Sequence, residues 1–281
     1  MNKLFKIDFK GEQINFWQAS EFSKRNSIPH NIVLKQAYDQ GALIDKKNNI
    51  LLDFINYIEE NETNLKSQLY QDLFASFVIK NNFKKTFLEF GATNGIDLSN
   101  TYKLENELSW TGVLAEPDTN WISTLKKNRH KSKIITKCIW SKSGEKVNFF
   151  SSSESVFSTI EKFKYSDFKS IPGNTALRTR NGKNIVVETI SLNQVIEEEF
   201  KGEAPSYISI DTEGSEFEIL NSFDFSKYQP PVFTIEHNFT DLQKKIDILM
   251  VKNGYCRVFD NLTAFDAWYI SKKAQDNIKN F

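Results

Sequence analysis

Apolar residues in this chain fall into two kinds of run, and the alternation between them lays out a layered α/β protein. Thr86-Phe87-Leu88-Glu89-Phe90, Gly112-Val113-Leu114-Ala115, Tyr207-Ile208-Ser209-Ile210 and Pro231-Val232-Phe233-Thr234-Ile235 are short and mostly apolar, as strands buried on both faces are. Between them the spacing turns helical. Leu98, Tyr102, Leu104 and Leu108 follow the first run, Ser191 to Phe200 precedes the third, and residues 239–253 put Ile246, Leu249 and Met250 on one face before an Asn253-Gly254 stop. Strands alternating with helices predict a parallel sheet. Tyr255 to Phe259 and Ala264 to Ile270 read as a closing antiparallel pair at its edge, with Phe259, Phe265, Trp268 and Tyr269 in the core.

Two stretches depart from this rhythm. In residues 1–66 short apolar patches mix with charge, and Leu51 to Ile58 predicts an amphipathic helix that runs out in Glu59-Glu60-Asn61-Glu62. A mainly helical extension that caps the substrate side or makes an oligomer contact is expected there, ahead of an α/β domain over 67–281. From about 151 to 184 the chain carries Ser151-Ser152-Ser153-Glu154-Ser155, Pro172-Gly173-Asn174 and the cations Arg178, Arg180 and Lys183. A loop this long is expected to be a lid or binding element, its cations forming a solvated turn or meeting an anionic acceptor.

The ends of the strands carry the candidate chemistry. Gly91 and Gly95 follow the first strand and let the backbone approach a ligand closely, with Asp97 or Ser99 suited to a following helix start. A dinucleotide fold would place G-x-G-x-x-G here to hold a pyrophosphate. This chain has Glu89 just before Gly91, which disfavours phosphate and suits a cationic ligand. Glu116 closes the second strand, where an acid takes ribose hydroxyls. Asp211 and Glu213 close another strand, and Glu236, His237 and Asn238 a third, so polar groups from neighbouring strands converge on one edge.

These residues resemble the FkbM-type methyltransferases that use S-adenosylmethionine. The matching pieces are Ser67-Gln68 with Gln71-Asp72, the stretch from Phe87 to Glu105, Trp110 to Asp118, Thr189 with Ser191-Leu192-Asn193, Ser209 to Leu220, Ile235 to Asn238, and the closing Asn253-Gly254-Tyr255 and Phe265-Asp266 pieces. The resemblance spans about 66–271. It implies a Rossmann-like, seven-stranded class I methyltransferase sheet with helices on both faces, donating a methyl to a hydroxyl of a sugar or natural product. By position it implies that Glu89 and the turn from Gly91 through Ala92 and Asn94 to Gly95 hold the methionine end, with Gln71, Ser99 and Asn100 close by. Glu116 and Pro117 would hold the ribose, Cys138 and Ile139 the adenine side, and Asp211 would also face the cofactor; for Cys138, Ile139 and Trp140 plain core packing is an equal reading.

Two arrangements for activating the hydroxyl stay open. In one, His237 is the general base, helped by Asp211, Glu213 and Glu236, because imidazole accepts a proton near neutral pH. In the other, Asp211, Glu236 and His237 bind a divalent cation such as Mg2+ that orients the hydroxyl. A sugar or nucleotide-linked sugar for surface glycan synthesis is the expected acceptor. A non-catalytic cofactor-binding partner and an NAD-dependent oxidoreductase are the other readings.

The remaining composition narrows the setting. Thirty-six basic and 36 acidic residues leave no net charge to draw the chain to nucleic acid or an anionic membrane. Cys138 and Cys256 have no zinc-ligand or C-x-x-C spacing, which suits a reduced, cytoplasmic environment. No run approaches the roughly 20 apolar residues that span a bilayer. His30 and His130 sit among polar residues and are expected at the surface.

Overall fold

In the computed structural model the described residues are 6–9, 11–15, 18–28, 32–33, 36, 50–80, 82–153, 157–166, 172–260 and 263–279. His30 lies outside them; His130 is exposed as expected.

The amino-terminal region begins with strands where helix was expected. Strands β1 (Lys6–Phe9) and β2 (Glu12–Asn15) pair antiparallel. Their turn is set by Gly11 at φ 84°, whose N–H donates to the Asp8 carboxylate at 3.1 Å. Helices Ala19–Asn26 and Ile50–Asn61 follow. The second buries Leu51, Phe54, Ile55 and Ile58, as its apolar stripe predicts. The Phe54 ring lies 5.3 Å from Phe259 and 6.0 Å from both Phe74 and Trp268, so this helix is part of the main core.

The main sheet is built from β3 (Thr86–Phe90), β4 (Thr111–Ala115), β5 (Lys133–Ile135), β10 (Tyr207–Ile210), β11 (Val232–Glu236), β12 (Tyr255–Val258) and β13 (Asp266–Ser271). Their spatial order is β12-β13-β11-β10-β3-β4-β5. The strands from β11 to β5 in that order run parallel, and β13 is antiparallel to both neighbours. Side chains alternate between two apolar layers: Phe87, Tyr207 and Val232 lie on one side, Leu88, Ile208 and Phe233 on the other. Burial on both faces is why these strands read as unbroken apolar runs. This is the Rossmann-like, seven-stranded sheet that the sequence predicts.

The order places the site. From β3 the chain goes outward to β4 and β5, then returns to the other side of β3 as β10 and β11, so β3 and β10 flank the switch point. At such a point a crevice opens beyond the carboxyl ends of the strands.

The segment expected as a loop over 151–184 has structure of its own. Strand β6 (Cys138–Trp140), β7 (Lys146–Ser151), β8 (Thr159–Ile160) and β9 (Lys183–Ser191) form a second sheet in the order β6-β9-β7-β8, and a helix covers Pro172–Thr179. Arg178 is the reason it holds together. Its side chain is fully buried, donates to the Phe157 and Lys164 carbonyls at 2.8 and 3.3 Å, and pairs with Glu213 at 2.7 Å. The basic turn is therefore split: Arg178 is neither solvated nor free for an acceptor, whereas Arg180 and Lys183 are exposed. Among the described residues no helix is long and apolar enough to cross a membrane.

Candidate active site

Past the end of β3 the chain does not enter the expected helix. Residues 91–101 form a folded loop, and only Tyr102–Asn106 is helical. Four residues of the loop, Gly91, Thr93, Gly95 and Leu98, have φ of 72°, 42°, 78° and 60°, which a helix cannot accommodate. Glu89 organises the rest. Buried at 3% exposure, its carboxylate accepts from Ser99 Oγ at 3.0 Å, the Asn100 N–H at 2.7 Å and Thr101 Oγ1. Arg129 lies beside it at 3.8 Å. Side-chain acceptance of backbone N–H groups competes with the helix ladder, and here it wins.

Gly91 is the tightest point of this loop. A Cβ built on it would lie 2.1 Å from the Asp211 carbonyl oxygen, so the loops after β3 and β10 pack backbone against backbone. Gly95 has a different role: its Cβ would strike Arg129 and Leu125 at 2.6 Å, so it accommodates the scaffold beneath the loop.

The strand ends enclose a cavity of about 320 Å³, the size range of a small-ligand site. Of the expected residues, Glu89, Gly91, Ala92, Ser99 and Asn100 line it from the first loop, and Glu116 and Pro117 from the end of β4. Cys138 and Ile139 line it from β6, and Asp211, Glu213 and Glu236 from the ends of β10 and β11. Four expected residues do not line it. Gln71 accepts the Leu69 N–H at 2.8 Å and donates to Asp266 at 3.2 Å, with Gln68 in the wall instead. Asn94 turns its carbonyl oxygen back onto the Ile96 and Asp97 N–H groups, both at 2.9 Å. Gly95 faces Arg129. His237 is the fourth.

His237 is 3% exposed, and both ring nitrogens are in use. Nδ1 accepts from the Phe239 N–H at 3.1 Å and Nε2 donates to the Asp266 carbonyl at 3.1 Å. Burial, with the Arg257 charge nearby, lowers its pKa to about 4. The ring is thus a neutral brace between the loops that carry Phe239 and Phe265, and the structure does not bring it to the position a general base would need.

The acids fall into two groups. Glu116 accepts from the Thr93 and Asp118 N–H groups, both at 2.8 Å, and burial pushes it up to about 7. Like Glu89, it is supplied with donors. Asp211 and Glu236 share a hydrogen bond with each other; burial first, then neighbouring carboxylates, raise both, Asp211 to about 6 and Glu236 further. Oε2 of Glu236 is closed off from solvent and receives no hydrogen bond from the described residues. Asp211, Glu213 and Glu236 bring ligand atoms within 4.8 Å of one another, so the carboxylate trio that the structure assembles has Glu213 where His237 was expected. Glu213 is already engaged by Arg178 at 2.7 Å and by the Asn238 amide at 3.3 Å.

Several lining residues were not anticipated. Phe157, Ser158 and Ile160 come from the structured insertion, Phe239 follows β11, and Phe265, expected in the core, closes the opposite wall. Thr93, Leu98, Glu213, Asn238 and Phe239 all have positive φ, between 42° and 60°. Such backbone is sparse for non-glycine residues and gathers at ligand sites, but nothing in the spacing of the sequence announces it.

The residues fit a nucleoside-bearing sulfonium donor. Gly91 leaves the wall free of a side chain, Glu116 lines the cavity at the second strand end, where ribose hydroxyls would need an acceptor, and Cys138 and Ile139 supply an apolar wall suited to a base. Burial pushes the Cys138 thiol up to about 12, so it acts as wall and not as nucleophile.

No curated protein gives a significant match to this chain. Among solved structures it is similar to the precorrin-6y C5,15-methyltransferase of Geobacter metallireducens GS-15, at 9% identity and a TM-score of 0.39 over 70% of this chain and 77% of that one. It is also similar to a Staphylococcus aureus protein assigned as a caffeoyl-CoA O-methyltransferase, at 13% identity and a TM-score of 0.41 over 85% and 99%. The family model described as the Methyltransferase FkbM domain matches residues 89–256. That match runs from the carboxylate inside β3 to the second residue of β12 and takes in more than half the chain, which therefore belongs to the FkbM methyltransferase family.

Proposed function

We propose that this chain transfers the methyl group of S-adenosylmethionine to a hydroxyl oxygen of a small acceptor, a sugar of the kind built into surface glycans. S-adenosylmethionine supplies an electrophilic methyl on a positively charged sulfur, which an oxygen can displace in line. Gly91, Ala92, Glu116, Cys138 and Ile139 would hold it.

The observation that carries the oxygen acceptor is the Asp211–Glu236 carboxyl pair. It lies at the ends of adjacent strands, in the cavity wall next to the Gly91 backbone. In this reading Asp211 takes the proton as the O–CH3 bond forms, and Glu236 holds Asp211 in place and shares its hydrogen bond. Arg178 balances Glu213, so the third carboxylate does not add an uncompensated charge. The Phe157, Phe239 and Phe265 rings keep the reacting groups among apolar walls. The NAD-dependent reading loses its support with the family match.

A divalent cation is the less favoured arrangement. Hard cations take six or more oxygen ligands, and here one of three carboxylates is committed to Arg178 while the nearby wall is aromatic.

The test is a methyl-transfer assay with labelled donor over a panel of free sugars and glycans. Asp211→Asn should retain donor binding and lose turnover. Equal turnover in Asp211→Asn and the parent would rule out the assigned proton acceptor.

A further inference from the structure

The cavity is charged in one sense only. Among the described lining residues are six carboxylic acids, Glu89, Asp97, Glu116, Asp211, Glu213 and Glu236, and no Lys, Arg or His. Arg178 meets Glu213 from behind and does not line the space. Most of these acids have partners inside the protein: Glu89 has Ser99, Asn100 and Thr101, Glu116 has two N–H groups, Glu213 has Arg178 and Asn238, and Asp97 has the Asn94 amide. Among the described residues, Asp211 and Glu236 have only each other. Glu236 is 8% exposed, and its Oε2 is buried without a donor. A buried acceptor left unpaired is costly, more so when charged, unless a ligand supplies the donor. The same cavity is lined by Phe157, Phe239 and Phe265. Aromatic faces attract cations, and an ammonium brings three N–H donors without needing the oxygen shell of a metal.

We propose that the acceptor carries a protonated amine beside the hydroxyl that is methylated, and that this ammonium seats on Glu236 among the three phenylalanines. The acceptor is then an amino sugar or amino alcohol, and phosphate or carboxylate groups stay outside the cavity. This rests on the methyl-transfer reading above and narrows its acceptor. Glu236 holds the ammonium while Asp211 remains available for the hydroxyl proton.

The test is calorimetry on the full chain at pH 7, saturated with S-adenosylhomocysteine, so that the amine of the donor product is already in place. The probes are matched sets: D-glucosamine, D-glucose and D-glucose 1-phosphate; D-galactosamine and D-galactose; 1-amino-2-propanol and 1,2-propanediol. In at least one set the amine should bind at least tenfold more tightly than its neutral partner, and the phosphate should bind least. Glu236→Gln should erase that preference and leave S-adenosylhomocysteine affinity within threefold. If Glu236→Gln shows no cooperative melt, Phe265→Leu, which removes one aromatic wall, should reduce the preference instead. Neutral partners binding as tightly as the amines in every set, or the phosphate binding tightest, would overturn the proposal while leaving the methyl-transfer reading standing. Failure of S-adenosylhomocysteine itself to bind would instead strike at that reading.

Discussion

The two halves of the cavity are both acidic, yet their acids do different things. On the donor side, Glu89 and Glu116 are surrounded by N–H and O–H groups and shape the loop that carries Gly91. On the side proposed for the acceptor, Asp211 and Glu236 face each other with no cation among the described residues, and one carboxylate oxygen lacks a donor there. The difference teaches that a carboxylate near a ligand is not thereby a functional group. A carboxylate engaged by several protein donors also shapes its loop, and one left short of donors keeps more of its capacity for a ligand.

The most severe way to break the donor half is Gly91→Val. At φ 72°, with the Asp211 carbonyl 2.1 Å from the new Cβ, the two loops must separate, and S-adenosylhomocysteine affinity measured by calorimetry should fall at least 100-fold. On the acceptor half, Asp211→Asn should lower the single-turnover rate by about 10²–10⁴, the range for loss of a general base, with donor affinity within threefold. If both variants lost donor binding equally, the division between the halves would be wrong.

Stability sharpens the contrast at the seam between the two. Arg178→Ala leaves Glu213 buried without its guanidinium, and breaking a buried pair on one side costs about 3–5 kcal/mol. Urea unfolding should show this loss, and Arg178→Met with Glu213→Gln should recover much of it.

The pH profile separates the halves more gently. Burial raises Asp211 to about 6, so its carboxylate, the proton-accepting form, is lost as pH falls through 6. The limiting rate should drop about tenfold per pH unit below that point and level off above it, and in Asp211→Asn the inflection should vanish.

The smallest effect is expected at His237. With its ring held neutral by the Phe239 and Asp266 backbone, His237→Asn should change turnover less than tenfold, seen as a loosened acceptor KM and no shift in the pH profile. A loss as large as that of Asp211→Asn would return the base to His237.

Legibility differed along the same line. The donor half could be read from the chain because its requirements are local: a glycine where backbone meets backbone, and an acid at each strand end. Glu89, Gly91, Glu116, Asp211, Glu213 and Glu236 were all expected at one edge, and all line one cavity. His237 was expected at the same edge but does not line the cavity, because the type of a residue says nothing about which of its nitrogens the fold engages. Leu98 and its neighbours predicted a helix, but the Glu89 carboxylate drew their N–H and O–H groups into a loop.

Arg178 was expected in a solvated turn or against an anionic acceptor because it sits in a polar, glycine-bearing stretch. Its partner Glu213 is 35 residues away, a contact that no periodicity reports. The sequence alone determined the parallel sheet, its two buried faces and the convergence of carboxylates beyond the strands, since these depend on period and on strand-end position. Only the tertiary structure decided which carboxylates are spent on neighbouring donors and which aromatic rings leave the core to wall the cavity. Both depend on pairings between distant segments, which burial makes strong and sequence spacing does not encode.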